Sequence, residues 1–351
     1  MRGNRLSYPC GIAERAMFLK SLYEQLGDKT KIHLKKKVVG LRHEQDCVKV
    51  LCADGTEVVG SVIIGADGIH SKVREEIQRL GEVNGQINRD KFSVKAEYNC
   101  IFGISDAVPS LSPGDGHIAS DVDNSSLVFV SRHGKANWFL FSKMDKIYPE
   151  GSIPRLTESQ MKAKVEKFKD FHFTEDVRLK DMIDRSTSLS YVPLEEATFE
   201  NWTYGRAVCV GDSIHKMTPN MGQGGNQAIE SAAVLTNCLL KILNQTKNPT
   251  NDDIETALRK YQDLRQKRAK HFVKMSGLVS RDETLATLRH TLRFLYFPLP
   301  SSEMFANMQT YMYTSAPYLK FLPLPKRLAG NKYWNEGLAA GEEMDLSRAR
   351  L

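Results

Sequence analysis

The chain has 351 residues, of which 41% are hydrophobic and 26% charged, with a formal net charge of +7. It is long and apolar enough to bury a substantial core in one large or two interleaved domains, which excludes a wholly disordered chain. The opening MRGNRLSYPCG lacks the unbroken apolar core of a secretion signal, and no run of about eighteen apolar residues could span a bilayer, so an intracellular protein, cytoplasmic or membrane-associated, is expected.

Residues 14–25 place Met17, Phe18, Leu19 and Leu22 at helical spacing, and Gly27 with Asp28 ends the helix. Strands are expected over 32–34 and 38–41. The Lys35, Lys36 and Lys37 cluster reads as the solvated entrance to the second rather than a nucleic-acid patch, because no nucleic-acid module accompanies it. Residues 47–52 and 57–64 form a hairpin turned at Asp54-Gly55. Residues 62–68, VIIGADG, read as a buried strand running into a tight turn, and a helix follows from about Ser71 with Val73, Ile77 and Leu80 inward. The alternation is α/β. Yet no GxGxxG follows an initial strand upstream, where a dinucleotide fold places its pyrophosphate site.

From about Phe92 to Lys143 the texture changes. Strands over 93–100, 118–121, 127–131 and 138–143, separated by turn-rich segments at 109–116 and 132–135, predict a mostly antiparallel second layer. Helical patterns occupy 159–168 and 175–183, after which Val192 and Trp202 lead back to a strand at 207–210. A helix from Gly224 through Ile242 is expected to turn Ile229, Ala232, Ala233, Leu239 and Ile242 to the core. A break at 244–252 precedes another helix over 253–276. Two aromatic and aliphatic runs, 292–300 and 318–325, flank Met304, Phe305, Met308, Tyr311, Met312 and Tyr313. Packing is the ordinary role of such runs; a tunnel lining or a peripheral membrane contact is the alternative. Six cysteines scattered without a metal-ligand spacing read as buried reduced thiols.

The stretch 208–226 joins a hydrophobic strand end, an acidic residue, a proline-bearing turn and a glycine-rich helix start. This is the local build of a site for an uncharged or anionic ring with a polyhydroxyl tail, and a flavin fits that description. Asp212 could accept hydrogen bonds from sugar or ribityl hydroxyls, or cap the next turn. Pro219 fixes the backbone before the bend. Gly222, Gly224 and Gly225 permit close approach of main chain to a planar ring, and Asn226 completes the set at the helix start. Asp67 could hold an arginine or a cofactor hydroxyl, or close an Asx turn with Gly68. Arg15 could pair with a cofactor phosphate or ribityl oxygen, or be simply solvated. His215, solitary in a loop, is given no catalytic role.

The motifs GADGIHSKVR (65–74) and GDSIHKMTPNMGQGGNQAIE (211–230), in that order, resemble the aromatic-hydroxylase class of FAD-dependent monooxygenases. The resemblance runs from about Tyr8 to Leu243 and points in particular to fungal enzymes that epoxidise prenylated meroterpenoid and indole-diterpene intermediates. It implies an α/β, FAD/NAD(P)-binding, glutathione-reductase-like fold lacking its first βαβ, with an antiparallel substrate-side sheet and a helical C-terminal region. The implied division is a partial FAD-binding domain over 1–90, a substrate domain over 91–200, a return to the FAD-binding domain over 201–245 and a helical region over 246–351. In that family the positions of Arg15, Asp212 and Gly225 touch FAD. The run EYNCIFG (97–103) looks like the substrate-side strand, with Tyr98 as the candidate catalytic ring. Family members open with a strand and GxGxxG, a segment not found ahead of Arg15, so a fragment, a misplaced gene start or a shortened relative is expected.

The activity implied is reduction of FAD by NAD(P)H and transfer of one oxygen atom from O2 to an alkene of a hydrophobic small molecule. No metal and no nucleic acid enter it. Two other readings stand beside it, a non-catalytic relative unable to hold FAD and a flavin-dependent reductase of prenyl double bonds.

Overall fold

The computed structural model describes residues 14–88, 90, 94–296 and 312–323. Helix α1 (Arg15–Gln25) forms where its spacing predicts, but none of its residues is buried. The strand expected at 32–34 does not form. A single 3-10 turn (Lys29–Lys31) is followed by a reversal at Lys35, whose φ is +62°. Strand structure depends on a pairing partner more than on propensity, and no described strand lies alongside.

Strands β1 (Val38–His43), β2 (Val48–Cys52) and β3 (Glu57–Gly60) make an antiparallel sheet. Lys36 at its entrance is exposed and pairs with Asp54 of the turn at 2.6 Å. The hairpin ends at Gly60, not at 64. The chain then enters β4 (Ile63–Gly65), which belongs to a different sheet, and α2 (Lys72–Val83), capped by Ser71 as expected. Among the described residues β4 pairs only with β11, and Ile64 is 48% exposed where the apolar run predicts burial.

The second layer contains β5 (Lys95–Ser105), β6 (Gly116–Asp121), β7 (Asn124–Val130) and β8 (Ala136–Pro149). Helices α3 (Glu158–Lys167) and α4 (Leu179–Ile183) follow, then β9 (Ser186–Thr198). The helix expected over 175–183 is thus only its last turn and a little more. β10 (Thr203–Tyr204), β11 (Ala207–Cys209) and β12 (His215–Lys216) are short. The chain ends in α5 (Gly224–Leu243), α6 (Asn251–Glu283) and α7 (Leu288–Tyr296). Expected features at 297–311 and beyond 323, including Met304, Phe305, Met308 and Tyr311, lie outside the described residues, as does Cys10.

The large sheet runs β12-β9-β5-β8-β7-β6 and is antiparallel throughout, so its two faces follow the alternation of each strand. Ile101, Val128, Trp138 and Leu140 face Met161, Val165, Leu179 and Met182 of the covering helices α3 and α4. Tyr98, Cys100, Leu127, Phe141 and Leu194 form the core of the opposite face, extended by Phe102, Phe129 and Phe139. The first face is tightly closed around Trp138, whose indole N–H donates to Ser105 Oγ at 2.9 Å. A Cβ on Gly103 would stand 2.0 Å from that indole. Gly103→Ala is therefore expected to destabilise by about 1–3 kcal/mol through overpacking, measurable as a lower denaturant midpoint; an unchanged midpoint would show that the indole can move aside.

The other core joins α2, the β4/β11 pair, α5 and α6 through Val73, Ile77, Trp202, Val208, Leu235, Leu258 and Tyr261. Helix α5 presents an inward face that its apolar spacing does not foretell. Ile229 is 55% exposed and Ala232 is exposed too, while Gln227, Glu230 and Ser231 are buried. The reason lies on α6, where Arg265 reaches Glu230 at 2.8 Å and Gln227 Oε1 at 2.8 Å.

Candidate functional site

β4 and β11 lie side by side and parallel, with Gly65 opposite Cys209. Their carboxyl ends, carrying the two motifs, therefore open at the same edge of the sheet, the usual place for a ligand in an α/β fold. The motifs are also tied to each other. Ser213 Oγ donates to the carbonyl of Gly65 at 3.0 Å, and the buried Arg74 donates to the carbonyls of Ser213 at 2.7 Å and Ile69 at 2.8 Å while lying 4.1 Å over the ring of Phe199. Arg74 was missed as a site residue; the signal available was an arginine next to Val73 at the start of an inward helical stripe.

Beyond β11 a 3-10 turn (Gly211–Ser213) presents Asp212, and a second (Pro219–Met221) ends on Gly222, whose φ of +64° favours glycine. Helix α5 then starts at Gly224 without any side-chain cap from Gln223. The N–H groups of Gly224, Gly225 and Asn226 point out of the first turn with no intrahelical acceptor, adding to the positive end of a twenty-residue helix dipole. A Cβ on Gly225 would meet nothing within 4 Å, and one on Gly224 only Asp212 Oδ1 at 4.0 Å. So Asp212, Pro219, Gly222, Gly224, Gly225 and Asn226 do come together. The Asn226 side chain turns back to the carbonyl of Gly222 at 3.1 Å, leaving its backbone as its contribution. Asp212 Oδ2 is paired with Lys216 at 2.5 Å; its Oδ1 is the oxygen on the helix side.

The other candidates stand apart. Asp67 spends both oxygens in its own turn, accepting from Ser71 Oγ at 2.5 Å and from the N–H groups of Lys72 and Val73 at 2.8 and 3.3 Å. The local Asx-type role is the one its bonds support. Arg15 is exposed at the mouth of a cleft of about 330 Å³ between the start of α1 and the free face of the large sheet, lined also by Ile104, Phe129, Asn137 and Phe139. Phe102 and Phe129 meet Phe139 edge-on at 5.1 and 6.4 Å, so this wall is apolar and aromatic.

The structure places Tyr98, the candidate catalytic ring, inside a core. It is 1% exposed, its hydroxyl accepts from Thr284 Oγ1 at 3.1 Å, and burial pushes its phenol up to about 12. A phenol so placed keeps its proton near neutrality and does not line the cleft, whereas Phe129 and Phe139 of the same face do. His215 lies in β12 rather than in a loop. It is buried, joined to Ser231 Oγ at 3.0 Å, and held neutral, with burial and then the charge of Arg265 lowering it to about 4. Cys52, Cys100 and Cys209 are buried free thiols, and burial raises the latter two well out of the reactive range; Cys47 and Cys238 are half-buried. Among the described residues no cluster could hold a metal ion.

The donor set suits FAD. Backbone N–H groups without an intrahelical acceptor, in a glycine-opened space, match acceptor oxygens and negative charge on a flavin ring, and the adjacent carboxylate oxygen matches hydroxyl donors.

Known proteins agree. The chain matches the FAD binding domain family over residues 8–276. It is 35% identical over 356 residues to an FAD-dependent monooxygenase of Botryotinia fuckeliana, covering 99% of this chain and 46% of that one. Against an FAD-dependent monooxygenase of Penicillium shearii it is 36% identical over 328 residues, covering 92% and 68%. The chain thus spans less than half the length of the first of these relatives. Among solved structures, HpxO of Klebsiella pneumoniae complexed with FAD and uric acid superposes with a TM-score of 0.69 at 20% identity, covering 87% of this chain and 72% of that one. A salicylate hydroxylase substrate complex gives 0.61 at 19%, covering 85% and 74%. These two show the fold, an α/β FAD-binding architecture with antiparallel sheets and a helical C-terminal region. Matched over most of its length by the family and 36% identical to a relative of which it covers 68%, the chain belongs to the FAD binding domain family, among the FAD-dependent monooxygenases.

Proposed function

We propose that this chain serves an FAD-dependent monooxygenase that transfers one oxygen atom from O2 to a hydrophobic small molecule, with NAD(P)H as reductant. The observation that carries the reading is the uncapped, glycine-opened start of α5 beside Asp212. Bound FAD would supply the redox chemistry, accepting a hydride and activating O2. The chain's own part is to bind and orient. The first N–H groups of α5 would hold acceptor oxygens and developing negative charge, and Asp212 Oδ1 would accept from hydroxyls. Phe129 and Phe139, with Phe102 packed against Phe139, would seat an apolar substrate and keep water away, with Arg15 as the cation at the mouth of that cleft. No side-chain base is needed for oxygen transfer to an alkene, which fits the buried state of Tyr98 and the neutrality of His215.

The finer reading is epoxidation of a prenylated intermediate, supported by the resemblance and by the aromatic wall. We further propose a peripheral membrane contact through α7, whose Leu288, Leu292 and Leu295 form one exposed stripe. Among the described residues no helix is long and apolar enough to cross a membrane.

The test is to mix purified chain with FAD, NADH or NADPH, O2 and a prenylated phenol, and to weigh the product. Gain of one oxygen atom is expected. Gain of hydrogen would favour a prenyl reductase, and failure to take up FAD at all would favour a non-catalytic relative. Asp212→Ala should weaken FAD binding by about tenfold, the worth of one hydrogen bond to a charged acceptor; unchanged affinity in a fluorescence titration would remove Asp212 from the contact set.

A further inference from the structure

The turn that leads into α5 is gripped from the side by the last turn of α6. Asn220 Nδ2 donates to Glu283 Oε2 at 2.6 Å, and Asn220 Oδ1 accepts from Ser280 Oγ at 2.6 Å. Ser280 Oγ also lies 2.8 Å from Thr218 Oγ1. Both ends of the carboxamide are thus fixed, by partners that are themselves buried; Glu283 is 8% exposed. Water competes little for bonds so enclosed, so their geometry is firmly set. The same helix end reaches the large sheet. Thr284 Oγ1 donates to the Tyr98 hydroxyl, and the Thr284 carbonyl accepts from the N–H of Asp123 at 2.7 Å.

We propose that Glu283 is a positioning residue for the cofactor site: through Asn220 it fixes the turn at 218–222 and hence the backbone donors at the start of α5. The proposal rests on the reading of that helix start as a flavin cradle. Glu283 does this as an uncharged acid. The group that holds it, Asn220, is neutral, and the cations nearby are committed elsewhere. Arg281 is bound by Glu97 at 2.5 Å and Glu196 at 3.2 Å, Lys143 is paired with Asp123 at 3.3 Å, and Lys216 with Asp212. Asp282, faced by His290 at 3.8 Å, adds negative charge. Burial first, and then Asp282, therefore push the Glu283 carboxyl up to about 7, against the pull of the Asn220 hydrogen bond.

The sign of the linkage follows. The folded chain keeps this proton up to about pH 7, whereas the unfolded chain loses it in the ordinary carboxylate range near 4.5. Between those values the folded state binds more protons, so stability falls as pH rises, and above about 7 the clamp holds a buried, unpaired charge. Glu283→Gln keeps the size and the acceptor oxygen and cannot ionise.

The experiment compares the full chain with its Glu283→Gln and Glu283→Ala variants between about pH 5 and about pH 8. In flavin-free protein, the thermal midpoint of Glu283→Gln should gain on wild type as pH rises. With FAD, wild-type affinity should fall several-fold from low to high pH, that of Glu283→Gln should stay level, and Glu283→Ala should bind about tenfold more weakly throughout. Parallel midpoints and affinities for wild type and Glu283→Gln at every pH would overturn the proposal, as would wild-type affinity in Glu283→Ala. If Glu283→Ala fails to fold, the wild-type and Glu283→Gln comparison decides alone. If no form takes up FAD, it is the cofactor reading that fails, while the flavin-free midpoints still decide whether Glu283 titrates as a clamp.

Discussion

Glu230→Ala is expected to lower the unfolding free energy by about 3–5 kcal/mol, the cost of stripping the partner from a buried charge. Two guanidinium groups converge on this carboxylate. Arg265 Nη1 lies 2.8 Å from Oε2, and Arg268 reaches it with Nε to Oε2 at 2.7 Å and Nη2 to Oε1 at 2.9 Å. Arg265 is fully buried, and its burial alone disfavours the charged form, which Glu230 restores. Removing Glu230 leaves both cations among Gln227, Ser231 and the carbonyl of Met312, which can accept hydrogen bonds but cannot neutralise charge. Glu230→Gln should cost less, about 1–3 kcal/mol, because an acceptor remains. Denaturant unfolding with an unchanged slope checks both. A loss below about 1 kcal/mol in the alanine variant would mean that water or a rearranged neighbour compensates the arginines. The network also matters to the site, because Gln227 and Glu230 lie in the first two turns of the helix whose start carries the glycines.

This same cluster shows what could and could not be read in the sequence. The two glycine and aspartate motifs fix their own local structure, since Ser71 caps α2 and a proline turn leads into α5 whatever the rest of the chain does. The return of the chain to its first domain was legible too, but the parallel pairing of the two strands was not. Nor was the inward face of α5. Apolar spacing selects Ile229 and Ala232, but burial of Glu230 is decided by two arginines about thirty-five residues on, a pairing invisible to a local window. Helix α6 continues beyond the expected end at 276 to Glu283, carrying the small residues Gly277 and Ser280. They are small because Gly277 makes room for Arg281 and Glu196, and Ser280 for the turn at 218–222. β9 was seen only as Val192, since its stretch STSLSYV carries hydroxyls, and pairing with β5 along its whole length makes it a strand. The alternation of β5 puts Tyr98 on the sheet face away from α3 and α4, at the end closed off by Thr284 and Arg281, and that closure depends on a helix end far along the chain.

The largest effect on function is expected from Gly225→Leu, which should weaken FAD binding by about a hundredfold, close to 3 kcal/mol, while leaving the fold intact. The backbone permits it. Gly225 does not adopt a positive φ, it sits in the first turn of α5, and a Cβ there meets no atom within 4 Å. Leucine is also the better helix former, by roughly 0.5–1 kcal/mol, so the thermal midpoint should hold or rise. The open space that tolerates the new side chain is the space a flavin ring would need in order to approach the N–H groups of the turn, so stability and affinity must separate. Gly225→Ala should show the same direction at a fraction of the size, because one methyl group fills little of that space. Fluorescence titration with FAD beside a thermal melt reads both quantities on one sample. Loss of affinity with loss of fold would say only that the turn is brittle. Retained affinity with a leucine in place would mean that no ring lies against Gly225, and the uncapped start of α5 would then have to be explained as a helix end that water alone satisfies.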